Sequence, residues 1–526
     1  MSRLQGIDQT VERNWRETLA AFRHPRVITM LFYGFSAGVP LLLIFSSLGL
    51  WLREAGVDRS TVTFFSWAAL GYSFKFVWAP LIDRLPLPLL TRRLGRRRAW
   101  ILTAQLAVAV AMFWMGSVDP AAGEPSLAWM AAGAVLLGFS SATQDIVIDA
   151  YRIESAPLDL QALMSSTYIA GYRIGMLAAG AGALFLASYL GSEMDHYDYR
   201  AWRWTYYAMA GLMLVGIVTT LIIDEPEVNR EHEDIFSSRD YAGFLLLFLM
   251  VAGSFVTSFW FSAEWAGSMK SSLAETLGNR PLAGVAVETL RLALAIAVAA
   301  LLARILLWSG WVNRRLVQST WIDPVRDFFR RYHLRTALLL LLLVGSYRIS
   351  DIVLGVIANV FFQDMGFTKP EIATVVKTFG LFMTLAGGFL GGVLAAKYGV
   401  MRILFLGALL TVATNLLYLL LAGAGHNIPL LYLVISADNL SAGLASAAFI
   451  AFLSGLTNTS FTAVQYAIFS SLMSLFPKVI GGYSGSMVDS IGYPNFFLFA
   501  AILGVPVLGL IWLANRRLLA GQKANT

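Results

Sequence analysis

Two carboxylates lie one helical turn apart at the end of a long apolar run. The stretch 143–152 has the sequence TQDIVIDAYR, and the run before it, 129–142, carries no charge. Residues four apart in a helix are separated by about 40° around its axis, so Asp145 and Asp149 share one face. A charge costs roughly 2.5–3.5 kcal/mol at the centre of a bilayer. We therefore expect this face to point toward a polar interior.

The composition is that of a membrane protein. Of the 526 residues, 57% are hydrophobic and 13% are charged, whereas soluble domains carry about 25% charged residues. Apolar runs of about 20 residues recur along the chain, each long enough to cross a bilayer as a helix. They do not alternate as the strands of a membrane β-barrel do. The sequence predicts an all-α polytopic membrane protein.

Other features exclude several kinds of chemistry. The chain has no cysteine, which excludes thiol catalysis and iron–sulfur ligation. Its five histidines lie in loops or at span ends without metal-ligand spacing, and no phosphate-binding G-x-x-x-x-G-K-[ST] motif is present. We expect no catalytic residue, metal or cofactor, and a protein that is not an enzyme. The net charge of +7 reflects basic loops beside the spans, so no nucleic-acid partner is expected.

The apolar runs divide the chain into two similar halves. A polar arm at 1–26 has no cleavable signal, and basic loops place both termini in the cytoplasm if they follow the positive-inside rule. The predicted segments are a six-helix bundle at 27–224, a linker with two extra transmembrane helices at 225–334, a second six-helix bundle at 335–515 and a tail at 516–526. About fourteen spans are expected, at 27–52, 61–84, 99–118, 126–151, 161–190, 203–224, 240–266, 283–312, 335–363, 370–397, 400–423, 429–454, 459–488 and 494–515.

A basic loop motif follows the second span of each half. Both copies resemble the G-x-x-x-D-R-x-G-R-R loop of the major facilitator superfamily. In the first copy the insertion LPLPLLTRR separates the Asp-Arg pair from the Gly-Arg pair, and the second copy lacks the acid. The equivalent positions of the two copies favour a gating function. The residues concerned are Asp83, Arg84, Gly95, Arg96 and Arg97 in the first copy, and Gly392, Lys397 and Arg402 in the second.

Charged side chains within the spans are the candidates for binding. The positive and negative ones roughly balance, so pairing in a polar cavity is feasible. Two acids as close as Asp145 and Asp149 suit a proton carrier, because full ionisation of both is disfavoured. The candidate substrate-binding and proton-binding residues are Lys75, Gln144, Asp145, Asp149, Tyr172, Arg173, Arg348, Asp351, Lys377, Asp438, Asn439 and Gln465.

Structural alternatives exist for several of these charges. Asp149 lies near the end of its span and can pair with Arg152 instead of handling a ligand. The amine of Lys75 can reach the membrane interface along its own aliphatic chain. Arg348 and Asp351 are three residues apart and can neutralise each other.

Several stretches together resemble the AmpG family of muropeptide permeases. They are SSATQDIVIDAYRIE, GYRIGMLAAG, FKFVWAPLIDR with LGRRRAW, and KTFGLFMTLAGGFLGGVLAAKYG. The resemblance implies a monomeric carrier in the bacterial inner membrane that imports N-acetylglucosaminyl-1,6-anhydro-N-acetylmuramyl peptides with the proton gradient. It also implies a place in peptidoglycan recycling, β-lactamase induction and antibiotic resistance, and accounts for extra central helices. The binding function is carried over to Lys75, Gln144, Asp145, Asp149 and Arg173, which match the motifs.

Other functions stay open on the sequence alone. The chain could carry acetyl-CoA, another peptide or a siderophore, with protons and membrane lipids as its other partners. A membrane enzyme acting on a lipid-linked substrate would need carboxylates in a loop cleft, whereas the unusual charges here lie in spans. A sensor that no longer transports is a third class.

Overall fold

The chain is almost entirely helical. The computed structural model describes residues 15–44, 46–57, 65, 71–193, 196–227, 236–278, 280–368, 371–481 and 484–523. Apart from one bridge between Glu193 and His196, these residues form no β-structure. Residues 1–14 of the predicted N-terminal arm and part of the predicted second span, 61–64 and 66–70, lie outside the described residues.

The chain divides into two compact units. Unit 1 comprises Met1–Asn229 together with Phe329–Thr526, and unit 2 comprises Arg230–Phe328. Unit 2 falls inside the segment 225–334 in which the two extra helices are expected. Both six-helix halves therefore belong to unit 1.

The first half of unit 1 starts with a short surface helix and continues with long apolar ones. A π-helix at Ala178–Gly182 joins α9 to α10. The helices are α1 Trp15–Ala20, α2 Pro25–Ile44, α3 Ser46–Glu54, α4 Gly71–Phe74, α5 Ala79–Arg84, α6 Leu90–Leu94, α7 Arg96–Gly116, α8 Glu124–Ser155, α9 Leu158–Leu177, α10 Ala183–Tyr189 and α11 Tyr199–Ile222.

The helices of unit 2 and of the second half continue the order. A π-helix at Ile372–Phe379 precedes α18, and breaks at His333 (φ 55°) and Gly492 (φ 75°) divide α16 and α22. The helices are α12 Ser238–Phe261, α13 Ala263–Leu277, α14 Arg280–Trp308 and α15 Arg314–Val317, followed by α16 Asp323–Ser346, α17 Ile349–Asp364, α18 Gly380–Tyr398, α19 Val400–Ala424, α20 Ile428–Leu456, α21 Thr462–Gly481 and α22 Ser484–Lys523.

Twelve of the described helices are long and apolar enough to cross a membrane. This confirms an all-α polytopic protein, but not the expected count of fourteen spans. The two predicted spans without a counterpart are 61–84 and 459–488. The first half of 61–84 is largely outside the described residues, and 459–488 is interrupted at 482–483, which also lie outside them.

Glycines allow α2 and α9 to pack backbone against backbone. A Cβ added to Gly171 would lie 1.9 Å from the carbonyl oxygen of Leu31, and one added to Gly34 would lie 2.1 Å from that of Tyr168. Small residues at such a contact permit the close approach that drives helix association in lipid. This contact fixes the position of α9, which carries Tyr168, Tyr172 and Arg173.

Replacement of Gly171 by alanine should destabilise the first half. The new methyl group meets backbone that cannot rotate away, so α2 and α9 must separate, at a cost of about 1–3 kcal/mol. Gly211 in α11 is the matched control, because a Cβ there meets nothing within 4 Å. Thermal unfolding of the purified protein should show a lower Tm for Gly171→Ala and an unchanged or slightly higher Tm for Gly211→Ala. Equal Tm values for the two variants would contradict the packing argument.

Candidate transport site

The candidate site lies where the two halves of unit 1 meet. Helix α9 packs against α18 and α20, and α21 packs against α5 and α8. Side chains from both halves therefore face one another along the inner parts of these helices. The charged residues of α8, α9 and α17 are held in this region.

The two acids of the opening stretch have different partners. All of α8 from Ser140 to Ser155 is buried. Asp145 is 9% exposed and accepts one long hydrogen bond, 3.5 Å, from the hydroxyl of Tyr168. Asp149 is 8% exposed and lies between two cations, 4.0 Å from Lys75 Nζ and 3.3 Å from an Arg152 nitrogen. Asp149 is thus held as an ion pair, whereas Asp145 has one weak donor.

Lys75 is buried with these acids. Its side chain is directed to Asp149, and it also interacts electrostatically with Asp145. The structure therefore contradicts the alternative in which its amine reaches out to the membrane interface. Lys75 and Arg152 together balance the charges of the two carboxylates.

Arg152 contributes more to the site than the sequence indicated. It is fully buried and donates to Gln161 Oε1 at 3.1 Å and to Ser165 Oγ at 3.2 Å on α9. It also donates to Ser454 Oγ at 2.7 Å on α20, in the other half. Its guanidinium lies over the ring of Tyr466, 5.3 Å from the centroid. The sequence assigned Arg152 only as a partner of Asp149, because nothing in the local pattern reveals contacts 302 residues away.

Gln144 presents a buried amide without a partner. It is 0% exposed, and neither its amide nitrogen nor its amide oxygen has a hydrogen-bond partner among the described residues. Leaving such a group unsatisfied costs about 1–3 kcal/mol. Packing alone therefore gives no reason for glutamine at this position.

A second charged group lies across the interface between α9 and α17. Arg348 pairs with Asp351, with Nε 3.1 Å from Oδ2, as the alternative of mutual neutralisation predicts. Arg173 interacts electrostatically with both of these residues. Among the described residues, Arg173 forms no hydrogen bond and no ion pair. Arg173 therefore lies beside an ion pair that is already complete and has no ion-pair partner of its own among the described residues.

Polar residues of the second half surround this group. Asp438 accepts hydrogen bonds from Tyr418 at 3.0 Å and Thr414 at 3.4 Å, and it interacts electrostatically with Asp351. Asn439 is bonded within the bundle, accepting from Thr384 at 2.8 Å and donating to the Ile435 carbonyl at 3.1 Å. Asp438 thus belongs to the charged group, while Asn439 joins α20 to α18.

The other predicted binding residues lie in different surroundings. Tyr172 is half-buried, with its ring 6.1 Å from that of Tyr168, and Lys377 is exposed on the π-helix before α18. Gln465 lies in the first turn of α21, where it accepts from Arg331 at 2.9 Å and from the Asn458 amide at 2.8 Å. Its span is equivalent to that of Arg173, but its depth is not, so it helps to order the loop before α21.

The first loop motif joins the two halves through Asp83. Arg97 lies 2.7 Å from Asp83 and 2.6 Å from Glu154 of α8. The same Asp83 carboxylate accepts hydrogen bonds from the amides of Ala463 at 3.3 Å and Val464 at 3.0 Å, at the start of α21. Helix N-termini favour anions because their first N–H groups have no partner within the helix. We call Asp83, Arg97, Glu154 and the start of α21 the closure cluster.

The remaining residues of the first motif support this cluster. Arg96 donates to the Asp83 carbonyl at 2.8 Å, and Arg84 is at the end of α5. Gly95 begins α7 with a φ of 84°, and a Cβ there would lie 2.4 Å from Glu225. Glu225 accepts the amides of Arg97 at 2.7 Å and Arg98 at 3.0 Å, and burial raises the pKa of this carboxyl. Sequence reasoning missed Glu154 and Glu225, which lie far from the motif along the chain.

The second motif keeps the turn but does not bridge the halves through an acid. Gly399 begins α19 with a φ of 90°, as Gly95 begins α7. Gly392 packs closely against α9, since a Cβ there would lie 2.6 Å from Ser166 Oγ. Lys397 lies over the ring of Tyr398, and Arg402 is exposed. The closure cluster is therefore built on the first copy.

Comparison with known proteins identifies the family. The sequence model of the Major Facilitator Superfamily matches residues 27–350. The chain belongs to the Major Facilitator Superfamily. Among solved superfamily structures, the fucose transporter FucP in its outward conformation covers 94% of this chain and 99% of its own, with a TM-score of 0.59 and 11% identity. The proton:xylose symporter XylE covers 94% of both chains, with a TM-score of 0.54 and 14% identity. These two similarities confirm the fold.

Curated superfamily members extend the similarity over nearly the whole chain. The putative transporter AmpG 4 of Rickettsia conorii is 29% identical over 94% of this chain and 98% of its own. The anhydromuropeptide permease of Escherichia coli K12 is 29% identical over 95% of this chain and 82% of its own. The predicted resemblance to AmpG proteins is confirmed. The protein is a multi-pass membrane transporter of the superfamily, rather than an enzyme.

Neutralising Asp83 should open the end of the transporter that the closure cluster holds shut. Asp83→Asn removes the charge that faces Arg97 and the start of α21, and breaking one partner of a buried pair costs about 3–5 kcal/mol. Because the native chain has no cysteine, Ala162→Cys provides a single reporter between the halves, at a position that is 1% exposed. Maleimide labelling of this reporter should rise at least about tenfold in the Asp83→Asn background.

Asp364→Asn is the control for this experiment. Asp364 is a carboxylate that accepts a hydrogen bond from Tyr493 but lies outside the closure cluster. It should leave the labelling of the reporter unchanged. Equal labelling with Asp83→Asn and with Asp364→Asn would show that the cluster does not hold this end closed.

Proposed function

We propose that this transporter imports anhydromuropeptides, that is, N-acetylglucosaminyl-1,6-anhydro-N-acetylmuramyl peptides, by proton symport and alternating access. Arg173, which lies beside the Arg348–Asp351 pair without an ion-pair partner of its own among the described residues, is the main structural support. The anhydromuropeptide permease of Escherichia coli, which matches over 95% of this chain, supports the substrate class.

The chemistry of such a substrate fits the residues between the halves. A muropeptide carries peptide carboxylates, and an arginine without an ion-pair partner suits them because its planar fork binds carboxylates through two parallel hydrogen bonds. The sugar and peptide also offer many hydroxyl and amide groups. The unpaired amide of Gln144 matches that chemistry, with one acceptor and two donor hydrogens.

The direction of transport follows from the charges at the closed end. The closure cluster lies at the end that carries the basic loops, including Arg92 and Arg93. Under the positive-inside rule this end faces the cytoplasm, which supports cytoplasmic termini and an inner-membrane protein. With the cytoplasmic end closed, a substrate would enter from the periplasmic side.

Asp145 is the better proton carrier of the two acids on α8. Asp149 lies between Lys75 and Arg152, 4.0 Å and 3.3 Å away, whereas Asp145 has one hydrogen bond, 3.5 Å long. A carboxyl that is buried and weakly paired gains or loses a proton with less rearrangement. Arg152 couples protonation of the site to the contact between the halves, because it contacts Asp149 on its own helix and Ser454 in the other half.

Reconstituted uptake tests the proposed function. Proteoliposomes containing the full chain should accumulate radiolabelled anhydromuropeptide when the outside is made acidic, and accumulation should collapse with a protonophore. An excess of unlabelled anhydromuropeptide should compete, whereas acetyl-CoA should not. Uptake of acetyl-CoA without uptake of muropeptide would replace the proposed substrate, and uptake that is insensitive to the protonophore would exclude proton symport.

Replacing Asp145 with asparagine should separate proton coupling from substrate binding. The asparagine side chain has nearly the same shape as aspartate but no titrating carboxyl, so concentrative uptake should fall at least about tenfold and lose its dependence on external pH. Counterflow exchange of substrate without a pH gradient should persist. Asp364→Asn, outside the site, should keep the native pH profile. An Asp145→Asn variant with an unchanged pH profile would remove Asp145 as the proton carrier.

A further inference from the structure

Unit 2 contains an apolar groove that the transport site does not use. Two helices and the turn after them form it, and its cavity measures about 120 Å³. All of its lining side chains are apolar or aromatic. They are Phe244, Leu247, Phe248 and Val251 of α12, Ala303 and Leu307 of α14, and Val317 and Trp321 from α15 and the π-helix after it.

The groove begins near one end of the unit and runs along the helices. Val251 lies about 20 Å along the axis of α12 from its first residue, Ser238. Near the same end, Trp308 and Trp311 are 84% and 74% exposed. Exposed tryptophans of this kind mark the interface between membrane and water. The groove therefore extends from the interface into the hydrocarbon region.

Arginines surround the interfacial end of the groove. Arg314 donates from Nε to the carbonyl of Leu307 at 3.0 Å, and Leu307 lines the groove. Arg315 is the next residue, and Arg304 follows Ala303, another lining residue. All three are exposed, and among the described residues none of them forms an ion pair.

The acids nearby are already engaged elsewhere. Asp240 accepts hydrogen bonds from Ser237 at 2.9 Å and from Asn313 at 3.1 Å. Asp323 lies 3.9 Å from Arg326. The arginines beside the groove thus present positive charge next to a purely apolar channel.

We propose that unit 2 binds one anionic glycerophospholipid, such as phosphatidylglycerol. An acyl chain lies in the groove, and the phosphate binds to Arg314 and Arg315. Two observations support this occupant. The arginines complement an anionic headgroup, as basic pockets beside membrane helices do. The arginines also lie at the interfacial end and the apolar groove lies beyond them, which is the order of the headgroup and acyl chain in a lipid. A free phosphate would leave the groove unfilled. A peptide would bury backbone amides against side chains that cannot bond to them.

Photo-crosslinking of the full chain in nanodiscs tests this site. The probes are phosphatidylglycerol and phosphatidylcholine, each with a diazirine in one acyl chain and matched for that chain. Phosphatidylglycerol should label peptides covering 303–321, and its excess over phosphatidylcholine should be on the order of fivefold for each arginine that contributes. Equal labelling by the two lipids would show that the groove does not select an anionic headgroup, and this result would overturn the proposal.

Two variants and a control separate the parts of the site. Arg314→Gln with Arg315→Gln should reduce labelling by phosphatidylglycerol to the level of phosphatidylcholine. Ala303→Trp should fill the groove and abolish labelling by both, with Val317→Trp used if the first filler does not fold. Arg517→Gln, an exposed arginine of unit 1, should change nothing. Unchanged labelling in either the charge or the groove variants would overturn the proposal, and so would displacement of the lipid by free glycerol phosphate.

Discussion

The structure depends on the requirement that a charge removed from water must find a partner. Asp83 has such partners, and they come from both halves of the transporter. Arg97 and Glu154 complete an ion network within the first half, while the amides of Ala463 and Val464 bring in the start of α21. Arg97 alone cannot neutralise both Asp83 and Glu154, so the amide donors that α21 brings when the halves meet complete the partners of Asp83. Closure of this end and burial of the charge are therefore one event.

The same requirement explains why Arg173 is available to an anionic substrate. Near the closed end, Lys75 and Arg152 balance Asp145 and Asp149, and this part of the interface is sealed by packing. Farther along, Arg173 adds a positive charge to a pair that Arg348 and Asp351 already complete. A partly buried arginine without an ion-pair partner is unfavourable in the empty state. An anionic substrate relieves this cost, which couples binding to the arrangement of the two halves.

The sequence predicted the elements of the fold better than the contacts between them. Hydrophobic runs locate the helices because each run must match the thickness of the bilayer, and the inward face of Asp145 and Asp149 follows from helical periodicity. The count of spans depended on runs that the structure does not describe completely. Symmetry between the halves predicted Gln465 as a counterpart of Arg173, whereas Gln465 accepts hydrogen bonds from Arg331 and Asn458 near the start of α21, since equivalent helices need not carry equivalent side chains at equivalent turns.

Local sequence patterns could not predict the residues that join distant segments of the chain. Glu154 ends the stretch SSATQDIVIDAYRIE but was assigned no function, and Glu225 lies in a stretch without a motif; their importance comes from Arg97 and Gly95, which are far away in the chain. Arg152 was visible only as a neighbour of Asp149, yet its bond to Ser454 is what relates that acid to the second half. This bond, like the bonds of Asp83 to the amides of α21, joins a charge to a neutral group. An interface that must separate in every transport cycle can use such bonds across the halves while ion pairs such as Arg97 with Asp83 and Glu154 stay within one half, because breaking a bond to a neutral group leaves the charge with its ion-pair partner.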